Sequence, residues 1–224
     1  MRFLNKIPRL PVCCALCHRS CHSTLCDACD AALPRLPTHC CPRCALPTHD
    51  GGLCGGCLAH PPRFDASHAV LRYTGEAAHL ITAGKYAGRW PLWRALASLL
   101  VACLPAAPDV DLIMPMPLHP HRLRERGFNQ SAELAAVISR HAGLPLRHDL
   151  LERVRDTTQQ SRLSLPERRR NLKGAFAAVG QLQGMRIAVV DDVMTSGLTL
   201  DAVAATLKRA GAARVEAWVL ARTL

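Results

Sequence analysis

The sequence predicts an α/β fold: a twisted parallel sheet with flanking helices, preceded by a small cysteine-rich module. Three observations carry that reading. From residue 63 onward, short apolar strand-like runs alternate with stretches of helical spacing, which is the pattern of a parallel sheet covered on both faces. Eleven of the twelve cysteines lie between Cys13 and Cys57, in a stretch rich in Pro, His and Gly with few aliphatic runs. One segment, residues 186–199, passes from an apolar strand through two acids and a hydroxyl-rich turn into a helix. With 224 residues there is room for one average domain and a small module, and the composition changes after Pro61-Pro62, giving 1–62 and 63–224.

The module carries four Cys-x-x-Cys pairs: Cys14/Cys17, Cys26/Cys29, Cys41/Cys44 and Cys54/Cys57. Each such turn presents two thiolates, and two turns complete a closed tetrahedral Zn2+ site, so two structural zinc ribbons are expected. The spacers within the halves are eight and nine residues, which favours sequential pairing of the turns. An interleaved pairing, first with third and second with fourth, stays open. Cys13, Cys21 and Cys40, with His18, His22 and His39, are spare donors. The start of the chain has charges and prolines where a signal peptide needs an apolar run. The longest apolar stretch, 95–107, falls short of the ~20 residues that span a bilayer. A reducing cytoplasm is the expected compartment, and there clustered cysteines mean metal. The formal net charge of +11 stays positive after two tetrathiolate zinc sites are counted, and suits a polyanionic partner or a solvated basic surface.

Past the boundary, Ala66 to Tyr73 reads as a strand, and Glu76 to Ala87 and Pro91 to Cys103 as helices. Asp111 to Pro115 is a short buried strand bounded by prolines, and Gln130 to His141 a helix ended by Gly143. Ser164 and Glu167 form a capping box for a basic helix through Asn171. Arg186 to Val190 is an apolar strand, Thr199 to Ala210 a helix stopped by Gly211, and Val215 to Ala221 the final strand.

The segment Asp191-Asp192-Val193-Met194-Thr195-Ser196-Gly197-Leu198-Thr199 is built for a phosphate. Backbone N–H groups of a tight turn and of a free helix N-terminus converge on one locus, where the helix dipole favours negative charge. Two carboxylates beside a phosphate must serve something else, such as ribose hydroxyls or a Mg2+. The segment resembles the motif by which type I phosphoribosyltransferases bind phosphoribosyl pyrophosphate (PRPP). That resemblance implies that Asp191 and Asp192, the catalytic candidates, hold the ribose hydroxyls and metal. It implies that Thr195 to Thr199 hold the 5′-phosphate.

After the strand Leu112-Ile113-Met114 comes a loop with Arg122, Arg124 and Arg126 at alternate positions, followed by Gly127 for a tight turn. Three arginines there are candidates to grip a pyrophosphate. A second basic cluster is Arg168-Arg169-Arg170-Asn171-Leu172-Lys173, and residues 121–173 hold 12 basic and 6 acidic side chains. That cluster is either a nucleic-acid surface, with Arg124 and Arg126 contributing, or a solvated helix face. The order of Pro115-Met116-Pro117-Leu118-His119-Pro120, Arg124-Glu125-Arg126-Gly127-Phe128-Asn129-Gln130, Arg155-Asp156-Thr157-Thr158-Gln159-Gln160 and Arg168 through Phe176 resembles the ComF family. Members of that family join a zinc module to a phosphoribosyltransferase-like domain and are associated with natural competence and imported DNA. The resemblance runs from Cys14 to the final strand, and it implies that Lys85-Tyr86 lie in a hood-side helix over the site.

Two main functions are expected from these features. One is Mg2+-dependent transfer of phosphoribose from PRPP, with the arginines neutralising the leaving pyrophosphate. The other is a non-catalytic protein that holds single-stranded DNA, with the PRPP site as a ligand sensor and other DNA-uptake proteins as partners. Aromatics for base stacking are scarce, Phe128, Trp90 and Trp93 being the candidates. A third reading is a scaffold whose ribbons dock a partner. No acceptor-activating base stands out.

Overall fold

The computed structural model describes residues 12–85, 90–156 and 165–224, apart from the side chains at 90, 165, 166, 168 and 169. Tyr86, the 157–161 segment, the Ser164 cap and the first eleven residues therefore lie outside the described residues, as do the side chains of Trp90, Arg168 and Arg169.

The cysteine-rich segment has little regular structure. It contains strands β1 (Val12–Cys13) and β2 (Ser20–Cys21), paired antiparallel, and two one-turn helices, α1 (Asp27–Ala31) and α2 (Gly55–Ala59). The α/β part follows with β3 (Ala66–Arg72), α3 (Gly75–Gly84), α4 (Trp90–Val101), β4 (Leu112–Pro115), α5 (Pro120–Arg126) and α6 (Gln130–Ala142). It closes with β5 (Leu151–Arg153), α7 (Leu165–Leu172), β6 (Phe176–Ala178), β7 (Arg186–Met194), α8 (Leu198–Arg209) and β8 (Arg214–Arg222). The main sheet has four strands in the order β3-β8-β7-β4, every pair parallel. β5 and β6 form a separate antiparallel ribbon that the sequence did not announce.

Successive side chains of the central strands face opposite layers. Ala188, Val190, Trp218 and Leu220 pack with Leu80, Ile81, Trp93, Leu96, Leu134 and Ile138 from α3, α4 and α6. Ile187, Val189, Ala217 and Val219 pack with Leu200, Val203, Ala204 and Leu207 of α8 and with Phe176 of β6. Because both faces are buried, β7 and β8 read as nearly continuous apolar runs rather than alternating ones. The expected parallel sheet with flanking helices is therefore present.

The cysteine-rich segment docks along this sheet. The stretch between its two halves extends the sheet at the β3 edge, with Leu36 N–H donating to the Val70 carbonyl at 2.9 Å and Arg72 N–H to the Pro34 carbonyl at 2.7 Å. Strand β7 runs through both acids to Met194, four residues beyond the expected end at Val190. Residues 120–126, expected as a loop, form helix α5: Pro120 sits at its start, His119 caps it by accepting from the His121 N–H, and Gly127 closes it in the left-handed conformation at φ 78°.

Candidate functional site

The site forms at the carboxyl ends of β7 and β4, where ligands bind in open α/β sheets. Asp191 and Asp192 end up side by side there, Asp192 only 5% exposed. Asp191 Oδ1 accepts from the Asp192 N–H at 2.9 Å and from Ser131 Oγ at 2.9 Å. Ser131 is in the first turn of α6, which is fixed by Asn129: its Oδ1 accepts from the Ser131 N–H, and its Nδ2 donates to the Met116 carbonyl. Asp192 Oδ2 forms an ion pair with Lys85 Nζ at 2.6 Å, from the end of α3. Gln130, buried at the start of α6, also bonds Asp192 and accepts from Arg126 Nη1 at 2.5 Å.

These contacts push the two acids in opposite directions. Burial, and then the charge of Asp192, raise the Asp191 carboxyl to about 7 against the bonds from the Asp192 N–H and Ser131. Burial also acts to raise Asp192, but Lys85 outweighs it and holds that group below its ordinary value. Lys85 is held above its ordinary value by Asp192, against its own burial. One acid is thus a stable anion and its neighbour sits near neutrality, where a cation or a hydrogen-bond donor would draw it into the ionised form. That donor set suits a hydroxyl-bearing ligand and a hard divalent cation.

Beyond the acids, Thr195 and Ser196 are exposed, Gly197 takes φ 78°, and α8 begins at Leu198 with the Gly197 carbonyl accepting from the Asp201 N–H. A side chain at 197 would be strained by that φ and would approach Met194 Sδ and the Phe64 ring. The turn therefore offers backbone N–H groups and hydroxyls outward. Within the same motif Met194 points into the core, Val193 packs against the α3/α4/α6 layer and Leu198 is partly buried, so these side chains are taken up in packing.

The arginines are divided by helix geometry. At 3.6 residues per turn, Arg122 and Arg126 share one face of α5, and Arg124 lies nearly opposite and exposed. The segment expected as a loop is helical, so the three arginines do not share one face. Arg122 Nε lies 3.9 Å from Asp156 Oδ1, and Arg126 bonds Gln130, which in turn bonds Asp192. Arg170 and Lys173 are exposed on and just after α7. Arg153, on β5, stacks over Phe176 at 5.6 Å and feels the charge of Asp191. Neither Trp93 nor Phe128 is available for base stacking: Trp93 is fully buried and donates to the Gly84 carbonyl, and Phe128 is 7% exposed.

The cysteines gather in the sequential arrangement. Cys14, Cys17, Cys26 and Cys29 form one group, and Cys41, Cys44, Cys54 and Cys57 the other, with the sulfurs of each group within 4.8 Å of one another. Four thiolates so close would repel unless a cation lay between them, and an all-sulfur tetrahedral set fits Zn2+. None of the twelve cysteines is in a disulfide, and none of the spare Cys or His donors joins either group.

Residues 129–224 match the model of the phosphoribosyl transferase domain. The chain is 37% identical to the DNA utilization protein YhgH of Salmonella typhi over 210 residues, covering 91% of this chain and 92% of that protein. The chain belongs to the ComF family. Other relatives are competence protein F of Haemophilus influenzae, 33% identical over 75% of this chain and 78% of its own length, and competence protein ComFC of Streptococcus pneumoniae, 30% identical over 89% and 88%.

In this ComF-family chain the domain match takes in the acids, the turn, Gln130, Ser131 and Arg153, while Lys85, Arg122, Arg126 and both cysteine groups lie ahead of it. Sequence reasoning missed Ser131, Gln130 and Arg153 as site residues, and it reached Lys85 only through the family resemblance. The available signal for Ser131 and Gln130 was position: they open α6 directly after the Asn129 cap and the arginines. No described helix is long and apolar enough to cross a membrane.

Proposed function

We propose that this chain binds PRPP with Mg2+ in a phosphoribosyltransferase-like site and serves the uptake or use of DNA, with two structural zinc ribbons in the segment 1–62 and the transferase-like domain in 63–224. The observation that carries this reading is the pair of adjacent acids, buried Asp192 held ionised by Lys85 and half-buried Asp191 titrating near 7, beside a Gly197 turn that leads into the N-terminus of α8. In this reading Asp191 and Asp192 bind the ribose hydroxyls and metal. The turn 195–199 binds the 5′-phosphate through N–H groups and hydroxyls. Arg122 and Arg126 face the pyrophosphate, with Gln130 fixing Arg126. Mg2+, when bound, would supply charge neutralisation for the departing pyrophosphate. The chain's own residues orient the sugar, keep Asp191 poised to ionise, and hold the anion in place.

The DNA role rests on relatives whose names concern DNA utilization and competence. With Trp93 and Phe128 buried, contact with DNA through the described residues would run through phosphates at Arg124, Arg170 and Lys173. Twelve unpaired cysteines suit a reducing cytoplasm.

The test is calorimetric titration of PRPP into zinc-loaded protein, with and without Mg2+, beside Asp191→Asn. Metal-dependent binding in the wild type, weakened about a hundredfold (~2.7 kcal/mol) in the variant, is the expected result. A folded wild-type protein that takes up no PRPP would overturn the reading.

A further inference from the structure

The second cysteine group and the phosphate-binding turn meet at one side chain, Arg222. It is the last residue of β8 and is 6% exposed. Its Nε donates to the Cys44 carbonyl at 2.9 Å, at the end of the Cys41/Cys44 knuckle. Its Nη1 donates to the Met194 carbonyl at 3.1 Å, to the Thr195 carbonyl, and to the Thr223 carbonyl at 2.6 Å. One guanidinium therefore fastens the backbone of a metal knuckle to the backbone that opens the turn.

Two further features make this contact decisive. A cavity of about 300 Å3, lined by Cys54, Cys57, Phe64, Ser196, Gly197 and Asp201 among others, separates much of the knuckle from the turn. Beside it, buried Ala45, Phe64 and Met194 pack in one cluster, and the Arg222 bonds add a polar link from the Cys44 carbonyl to the turn. A buried guanidinium also needs compensating charge. Arg222 Nε reaches the Cys44 carbonyl, within the group whose four sulfurs lie within 4.8 Å of one another. Four thiolates around one Zn2+ leave a net charge of about −2. A loaded second site is thus the counter-charge for Arg222, and an Arg fork can hold several carbonyls at once where a Lys ammonium acts as a single point.

We propose that Arg222 is a positioning residue that couples metal occupancy of the Cys41/Cys44/Cys54/Cys57 site to the order of the 194–197 turn, and through the turn to phosphate binding. The phosphate-binding half rests on the PRPP reading above; the coupling does not. Coupling of this kind is reciprocal, so a ligand held by the turn also tightens metal at the second site.

The experiment is hydrogen–deuterium exchange on the full zinc-loaded chain, comparing wild type with Cys57→Ser, Arg222→Gln, Arg222→Lys and the double variant, with PRPP titrated into each. Amides of 195–197 are expected to exchange about tenfold faster in Cys57→Ser, while Val189 and Val219 in the sheet stay protected. Arg222→Gln should reproduce that loosening with both zinc ions retained by metal assay. Arg222→Lys should fall between, and the double variant should add nothing to either single change. If Cys57→Ser also loses sheet protection, Arg222→Gln decides, since it keeps both sites: wild-type exchange in its turn sinks the proposal. A wild type that shows the coupling yet takes up no PRPP removes the PRPP reading and leaves the role of Arg222 intact. Equal PRPP affinity in wild type and Arg222→Gln overturns the inference and leaves the PRPP reading intact.

Discussion

The two cysteine groups have the same ligand pattern and nearly the same spacing, yet they sit against different parts of the molecule. The first packs on the helical layer: Cys14 is fully buried with Leu25 and Leu33 in the core that contains α3, α4 and α6, and Thr24 Oγ1 donates to the Pro91 carbonyl. The second lies beside the other layer, where Ala45 and Phe64 join the α8 core and Arg222 ties the Cys44 carbonyl to the turn. Ligand spacing fixes what a knuckle binds. Its role is fixed by what its outward carbonyls and side chains touch, which for the first group is a helix and for the second the 194–197 turn.

The largest expected effect tests that difference directly. Structural zinc contributes on the order of 10 kcal/mol in isolated fingers, so Cys29→Ser and Cys57→Ser should each cost several kcal/mol in stability by thermal or urea unfolding. PRPP affinity should separate them, with Cys57→Ser weaker by about thirtyfold and Cys29→Ser within about threefold of wild type by calorimetry. Equal losses in both variants would erase the distinction between a scaffold knuckle and a loop-holding one.

A somewhat smaller effect is expected where the helical layer reaches the site. Lys85 ends α3 and neutralises the buried Asp192, its Nζ only 2.6 Å away. Lys85→Ala leaves that carboxylate without its partner. Breaking a buried pair costs about 3–5 kcal/mol, discounted here because the Lys85 side chain is partly open to solvent, so about 2–3 kcal/mol is expected in urea unfolding. A loss below about 0.5 kcal/mol would mean that water already screens the pair.

How much of this was legible follows from the range of each interaction. The 186–199 segment and the cysteine pairs are local in sequence: strand, turn and helix follow one another, and two thiols three residues apart need only one turn. The α5 helix was not legible because Pro115, Pro117 and Pro120 read as loop, although proline is compatible with the first position of a helix. The β5–β6 ribbon joins two three-residue strands with α7 between them, and such short strands carry little periodic signal. Ser131 and Asp191 are 60 residues apart, and Arg222 and Cys44 are 178 apart. Contacts at that range are created by the sheet topology. The one trace of Arg222 in the sequence is an arginine closing a strand that is otherwise apolar apart from Arg214 and Glu216.

Glu216 lies toward the opposite end of β8 from Arg222, so it tests whether that end is as tightly held. Burial alone would raise its carboxyl; bonds from His68, the Trp218 indole and Arg214 outweigh that and hold it at about 2. Its ordinary value is 4.5, so the sign is that of a depressed acid. The stabilisation is complete above about pH 4.5 and disappears as the pH falls toward 2. Urea unfolding at pH 6 and pH 3 should show wild type losing about 2 kcal/mol more than Glu216→Gln over that interval. Parallel losses in the two proteins would place the acid sensitivity elsewhere.

The smallest effect concerns α5, where neighbouring arginines face different ways. Arg126 touches Gln130, which bonds Asp192, so Arg126→Ala should weaken PRPP by about tenfold, near 1.4 kcal/mol. Arg124 is two residues away, about 200° around the helix and exposed, so Arg124→Ala should leave PRPP affinity within about twofold. Its effect should appear instead in binding to single-stranded DNA. Removing one phosphate contact makes the log–log salt slope shallower by about 0.7. The comparison breaks if Arg124→Ala costs PRPP affinity as much as Arg126→Ala does. Both arginines would then serve one anion, and α5 could not divide a small-molecule face from a nucleic-acid face. If only the salt slope moves, one seven-residue helix presents two anion-binding faces, separated by nothing more than its period.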